Sequence, residues 1–446
     1  MMGTTLRRAA AAAHVMTMVM AAGLATAQNG DDETTRERAL RLMSETPLID
    51  GHNDLPWQLR GRVDGSVTQI DLYEDQTELS GRRPLHTDIP RLREGMVGAQ
   101  FWSVYVPIRT RGGTPEDVVR TFEQIDIVHR MAEAYPDVFE VALTADDIER
   151  IFHEGRIPSL MGLEGGHSIG NSLDILRRTY AAGARYMTLT HSTGTFWADS
   201  GTDDAVLDGL SAFGEEVVRE MNRLGMLVDL SHVSPATMHD ALDIVEAPVI
   251  FSHSSAKGVT NHPRNVPDDV LGRLADNGGV VQVTFVPSFV SSAIAAHGER
   301  RQAAQRRLES RFPGDADAVR SGMQEWRQNN PAPSATLGDV ADHIDHVKTV
   351  AGINHVGIGS DFDGIGSVPV GLEDVSTFPD LIVELLDRGW TDTEIRKLLG
   401  ENMLRAMRET EAIARRLQRT TTPSEKTFEE LDGEAPGTTT GRRGTR

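Results

Sequence analysis

The 446-residue sequence contains no cysteine. Disulfides and a lipid-modified N-terminal cysteine are therefore excluded, and a chain of this size must be held by its core. Positive charge is also in deficit: 45 Lys and Arg stand against 66 Asp and Glu, a net charge of -21. Nucleic acid is excluded as a partner, because a phosphate-binding surface needs clustered basic side chains. An acidic surface instead favours solubility and tolerates bound cations. No glycine-rich phosphate loop follows Leu55, no repeat occurs at solenoid periods, and the C-terminus carries no apolar tail.

The N-terminus reads as an export signal. Arg7 and Arg8 precede the apolar run "AAAAAHVMTMVMAAGLA", and "ATA" before Gln28 is a small-residue cleavage site. Residues 1–27 are thus expected to be removed, leaving a periplasmic or secreted protein with no membrane anchor in the mature chain. Residues 28–415 are expected to form the domain. The Thr-, Gly- and charge-rich segment 416–446 has no evident apolar anchor and is expected to be disordered.

Within the domain, short apolar runs alternate with amphipathic segments, which implies parallel βα units. Eight strand candidates occur: "PLIDGHNDL", "GAQFWSVYV", "IPSLMGLEGGH", "RYMTLTH", "MLVDLSH", "APVIFSH", "GVVQVTFV" and "NHVGIGSDFDG". Eight such units predict an α/β fold, a TIM-type (β/α)8 barrel, with a charged helical insertion after the seventh strand. Six of the runs stay apolar and then end in His52 and Asp54, Glu164, His191, His232, His253 or Asp361. In this barrel all strand C-termini open on one face, so these residues would converge there. Pro56 is expected to end the first strand and send the chain away from that face.

A single histidine at a strand end is ordinarily structural. Several histidines and carboxylates buried together are costly unless paired or bound to metal. His52, Asp54, Glu164, His232 and His253 offer three imidazoles and two carboxylates, a set suited to zinc, cobalt or manganese. Five ligands exceed what one catalytic zinc takes, so two ions sharing a carboxylate fit better. His52 and Asp54, two apart, point to the same side of the strand and can reach one ion; Asn53 points away as a hydrogen bonder.

The motifs "DGHNDLPW", "GLEGGHSI", "LTHS", "VDLSHVS", "FSHSSA", "RNVPDD" and "GSDFDG", in this order, resemble those of the membrane (renal) dipeptidase family, metallopeptidase family M19 of the amidohydrolase superfamily. The resemblance implies a zinc dipeptidase that cleaves L-Xaa-L-Xaa and L-Xaa-D-Xaa dipeptides by attack of a metal-bridging hydroxide. It implies that His52 and Asp54 bind the first Zn2+, His232 and His253 the second, and that Glu164 bridges the two. It places His191 by the substrate carbonyl, Arg264 on the substrate carboxylate, and Asp361 opposite the metals as proton carrier, with Asp363 the other candidate for that task. A surface ion pair with Asp268 or Asp269 is the alternative for Arg264.

The sequence departs from the family pattern at Phe289, where many members have a tyrosine that contacts the substrate carboxylate. The disulfide and lipid anchor of mammalian members have no counterpart here, so any homodimer would be disulfide-free. Trp102, Phe196 and Trp197 are read as loop packing, His262 as structural, and His343 and His346 as residues of a covering helix. His167 is either a support for Glu164 or an ordinary loop residue. A lactonase or N-acyl amino acid deacylase on the same barrel, and a noncatalytic binding homologue, are the competing functions.

Overall fold

The computed structural model describes residues 33–77 and 83–434. The expected signal segment 1–27 and the last residues of the tail, 435–446, lie outside the described residues. The strands are β1 (Leu48–Asn53), β2 (Val97–Tyr105), β3 (Phe139–Val141), β4 (Ile157–Glu164), β5 (Ala184–Thr188), β6 (Leu227–Asp229), β7 (Val249–Ser254), β8 (Val280–Val283) and β9 (Val356–Ile358). All pair in parallel in the order β2-β1-β9-β8-β7-β6-β5-β4-β3, and an additional β2–β4 pairing closes eight of them into a barrel. The expected TIM-type (β/α)8 fold is therefore the observed one.

Strand β3 was not anticipated. It pairs Phe139 with Ile157 and Val141 with Ser159, at the start of β4, while β2 takes β4 from Ser159 onward. Three residues between two helices carry too little periodicity to be read as a strand.

The helices begin where the chain supplies side-chain acceptors for their free N–H groups. Ser172 caps Leu173–Ala181, Ser234 caps Pro235–Ile244, and Thr114, Thr144 and Thr336 form reciprocal capping boxes at Pro115–Ala134, Ala145–His153 and Leu337–Val350. Glycines in the left-handed conformation end two of the helices, Ala212–Leu224 at Gly225 (φ 87°) and Asp268–Asn277 at Gly278 (φ 83°). Inside the barrel, Ile49, Phe101, Leu160, Tyr186 and Ile250 pack with Met403 and Met407 of the helix Asn402–Thr420. This apolar plug fills the barrel below the functional end.

The expectation that nothing anchors the chain after Arg415 is corrected. Asn402–Thr420 continues beyond it, and Phe428, in the short helix Phe428–Asp432, is buried against Phe213 (ring centroids 5.5 Å) and Phe196 (6.1 Å). One aromatic in a polar context supplies the anchor. Among the described residues, no helix is long and apolar enough to cross a membrane.

The insertion after β8 consists of helices Pro287–Val290, Ser292–Arg311 and Ala316–Asn329, and with Asn261–Pro263 of the loop after β7 it lines a groove of about 780 Å³ beside the mouth. His343 ties the two together. Its Nδ1 accepts from the Ala256 N–H (3.0 Å) and its Nε2 donates to the Val290 carbonyl (3.1 Å), which requires the neutral ring. Burial depresses its pKa from 6.5 to about 4. A histidine with a depressed folded pKa contributes stability that is present above pH 6.5 and lost as pH falls through 4. The stability gap between the wild type and His343→Ala, measured by urea unfolding, is expected to narrow by about 3 kcal/mol over that window. A gap independent of pH would refute the neutral ring that these two hydrogen bonds require.

Candidate active site

The C-terminal ends of the strands carry the polar residues, and the backbone draws their loops together. Asp54 N–H donates to the Phe362 carbonyl (2.9 Å), and Asp361 N–H to the His52 carbonyl (3.1 Å), so the ends of β1 and β9 are tied side by side. Pro56 does not send the chain away from the mouth as expected. It lies in the first turn of the helix Leu55–Val63, where its missing N–H costs nothing, and that turn carries Trp57 into the pocket.

Glu164, at the end of β4, is the centre of the cluster. Its Oε1 lies 3.2 Å from His232 Nε2, 3.5 Å from His191 Nε2 and 3.6 Å from His253 Nε2. Its Oε2 lies 3.6 Å from His52 Nε2 and accepts from Ser103 Oγ at 3.1 Å. His52 Nε2 also faces Asp54 Oδ2 at 3.3 Å. Three trios bring one ligand atom per residue within 4.8 Å of one another: His52, Glu164 and His253; Glu164, His191 and His232; and His52, Asp54 and Asp361.

The donor set fits divalent metal. His232 Nε2 and His253 Nε2 are 2.9 Å apart, an approach that suits two lone pairs turned toward a shared cation. His52 Nε2 is buried without a hydrogen-bond partner among the described residues, although two carboxylates face it. Its other nitrogen is committed: Nδ1 donates to Tyr186 Oη at 2.9 Å, and Tyr186 in turn donates to the Gly51 carbonyl at 3.2 Å. Gly162 on β4 leaves the space that this tyrosine ring occupies. The lone pair of His52 is thereby aimed into the cluster.

Electrostatics divide the group. Burial works against charge on His52, but Tyr186, Glu164 and Asp54 outweigh it and hold its pKa well above the usual histidine value. Burial, followed by Arg264 for His232 and by His52 and Arg264 for His253, drives those two well below it. Burial would raise Glu164, yet His52 and His191 keep it well below the carboxylate range. Burial pushes Asp361 well above that range; His52 opposes this, while Asp54 and Glu164 add to it. Neutral His232 and His253 and an ionised Glu164 are in the forms that ligate metal, whereas His52 would release its Nε2 proton on binding it.

Asp361 (φ 65°) and His232 (φ 71°) both hold left-handed backbone that side chains other than glycine seldom adopt. Both belong to the cluster. Arg264 lines the same pocket, about 320 Å³ in volume, and is 5% exposed. Its guanidinium donates to the His253 carbonyl (3.3 Å) and Ser254 Oγ (3.5 Å) and lies 5.4 Å from the Phe289 ring centre. Among the described residues, no carboxylate pairs with it: Asp268 is held by His346 (2.8 Å) and Asp269 by His239 (3.0 Å). Burial lowers its pKa to about 10, which leaves it charged at neutral pH.

The structure thus gathers His52, Asp54, Glu164, His191, His232, His253, Arg264 and Asp361 at one place. Asp363 borders the pocket, but its Oδ1 accepts from the His86 N–H (2.9 Å) and its own N–H donates to His86 Nδ1 (3.0 Å), a loop-binding arrangement. His167 bonds the Val106 carbonyl (2.8 Å), and His262 stacks on Phe289 at 4.3 Å. Trp102 and Trp197 are wholly buried, and Asn53 bonds Thr87 (2.8 Å). Trp57, Gln58, Tyr105 and Gly364 also line the pocket and were not singled out from the sequence. Tyr105 ends β2 and packs edge-on against Trp57 at 4.9 Å, forming an aromatic wall. A search of strand ends that admitted aromatics would have found Tyr105.

A (β/α)8 barrel with histidines and carboxylates gathered at the C-terminal strand ends has the layout of a metal-dependent hydrolase. The resemblance in sequence is more specific. The chain belongs to the membrane dipeptidase family, peptidase family M19, whose family model matches residues 36–421. Similar solved structures include the probable dipeptidase PvdM from Pseudomonas aeruginosa, with 24% identity and a TM-score of 0.71 over 85% of this chain and 99% of that one. The dipeptidase AC, a metallopeptidase of family M19, is 25% identical with a TM-score of 0.66 over 82% and 98% of the two chains. A metallopeptidase from Rhodobacter sphaeroides, bound to a phosphinate mimic of L-Ala-D-Ala, is 24% identical with a TM-score of 0.65 over 82% and 99%.

Proposed function

We propose that this protein is a zinc dipeptidase that hydrolyses the single peptide bond of free dipeptides. The observation that carries the reading is Arg264: a buried guanidinium without a carboxylate partner among the described residues, in the same small pocket as the histidine and carboxylate cluster. Such a group recognises a free carboxylate in a bidentate pair, whereas a longer peptide would present an uncharged amide there.

His52 and Asp54 would hold one metal ion, His232 and His253 a second, and Glu164 both. When bound, the ions supply an activated water and polarisation of the scissile carbonyl. His191 lies beside Glu164 with its Nε2 turned into the pocket, where it donates to the carbonyl oxygen as negative charge develops. Asp361 has the raised basicity a proton carrier needs, taking a proton at its carboxylate and returning it to the departing amine. Trp57 and Tyr105 wall off the other side of the pocket and limit its water.

The test is a substrate panel on purified protein combined with metal analysis. Free L,L- and L,D-dipeptides, C-terminally amidated dipeptides, N-acyl amino acids and lactones are compared, the L,D series because the Rhodobacter relative was solved with a mimic of one. Hydrolysis restricted to free dipeptides, with zinc bound, is the expected result. Turnover of lactones or N-acyl amino acids in their place would favour another superfamily activity, and turnover of none a binding protein. Loss of residues 1–27 as an export signal would place the protein outside the cytoplasm, and any homodimer would form without disulfides; N-terminal sequencing and solution mass check the two.

A further inference from the structure

The histidines of the cluster are not braced alike. His253 Nδ1 lies 2.7 Å from Ser252 Oγ, and the Ser252 hydroxyl donates to Asp229 Oδ2 at 2.6 Å. With its proton committed to Asp229, Ser252 can only accept from His253. The ring proton therefore sits on Nδ1, and Nε2 presents a lone pair to the cluster. Asp229, buried at the end of β6, also accepts from Thr188 Oγ1 on Oδ2 (2.6 Å) and from the Ser231 and Ser252 N–H groups on Oδ1 (3.0 and 2.9 Å). His232 differs: its Nδ1 is buried without a hydrogen-bond partner among the described residues.

We propose that Asp229 and Ser252 are positioning residues, a carboxylate–hydroxyl relay that fixes the tautomer of His253 and strengthens Nε2 as a metal donor. His253 is then the anchored histidine of its pair, and His232 the adjustable one. The inference rests on reading the cluster as a metal centre. Groups that bond the far nitrogen of a ligating histidine commonly govern metal affinity. A relay through a hydroxyl has a further property, because the rotor can be reversed.

In Asp229→Asn the two main-chain N–H groups at Oδ1 require the amide oxygen there, which places the amide NH2 opposite Ser252 Oγ. Ser252 then accepts from the amide and turns its own proton to His253 Nδ1. The ring proton is forced to Nε2, where it occupies the lone pair. Ser252→Ala merely removes the brace, and Thr188→Val removes a different hydrogen bond to Asp229 while leaving the relay intact.

Zinc affinity of the full chain, measured by competition with a chromogenic chelator, tests this without reference to turnover. Ser252→Ala is expected to bind zinc about 10-fold more weakly and Asp229→Asn about 100-fold, with Thr188→Val close to wild type. The 15N shifts of His253 should report the Nδ1-protonated ring in metal-stripped wild type and the reversed ring in Asp229→Asn. Wild-type affinity in Ser252→Ala, or a loss in Thr188→Val as large as in Ser252→Ala, overturns the relay; this pair decides the matter even if Asp229→Asn does not fold. A wild-type protein that binds no zinc overturns the metal reading itself.

Discussion

Glu164→Gln is expected to lower kcat/KM for every dipeptide by at least about 10³-fold and to deplete bound metal. The substitution preserves shape, so the loss reports charge. Four imidazole nitrogens, of His52, His191, His232 and His253, stand within 3.2–3.6 Å of the two carboxylate oxygens. An amide in that place offers one oxygen and no negative charge, and its NH2 would donate to the imidazole lone pairs that should face a cation, occupying them and repelling the metal. Metal content by elemental analysis and steady-state rates on the same preparation check the result. A Glu164→Gln protein that keeps its metal and its rate would remove Glu164 from the centre of the site.

The second large effect concerns recognition. Arg264→Met is expected to raise KM for free dipeptides by about 10²-fold, the cost of losing one buried charge-assisted pair. C-terminally amidated dipeptides, poor substrates from the start, should change little. Methionine replaces the arginine stem with comparable apolar bulk, and no carboxylate ion pair is broken in the free enzyme among the described residues. The comparison therefore isolates the interaction with substrate. Equal losses on both substrate series would show that Arg264 supports the pocket wall through Phe289 and Ser254 rather than reading the carboxylate.

The barrel was legible because parallel strands buried on both faces are nearly continuous apolar runs, and eight of these stand out between amphipathic segments. The site was legible for a related reason. Polar residues such as Glu164 and His253 interrupt apolar strands only at their ends, where burial is tolerable if they share a ligand or a charge. What stayed hidden lacked that contrast. Tyr105 continues an aromatic strand without a break in polarity, Phe139–Val141 is too short to show a period, and Trp57 depends on a helix starting immediately after Asp54. Phe428 reads as one residue in a polar tail until Phe213 is placed opposite it. The Ser252–Asp229 relay was invisible because it joins the end of one strand to the next, a distance that only the barrel closes.

The stacking of Phe289 on His262 divides the pocket by provenance. The half with the histidines and carboxylates is built from strand ends, whereas one wall of the half around Arg264 hangs from the helices that follow β8. Insertions, deletions and repacking within 287–329 can therefore alter which dipeptides are accepted without touching a single metal-facing side chain. Substrate choice in such a scaffold can diverge quickly between relatives while the bond-breaking apparatus stays unchanged.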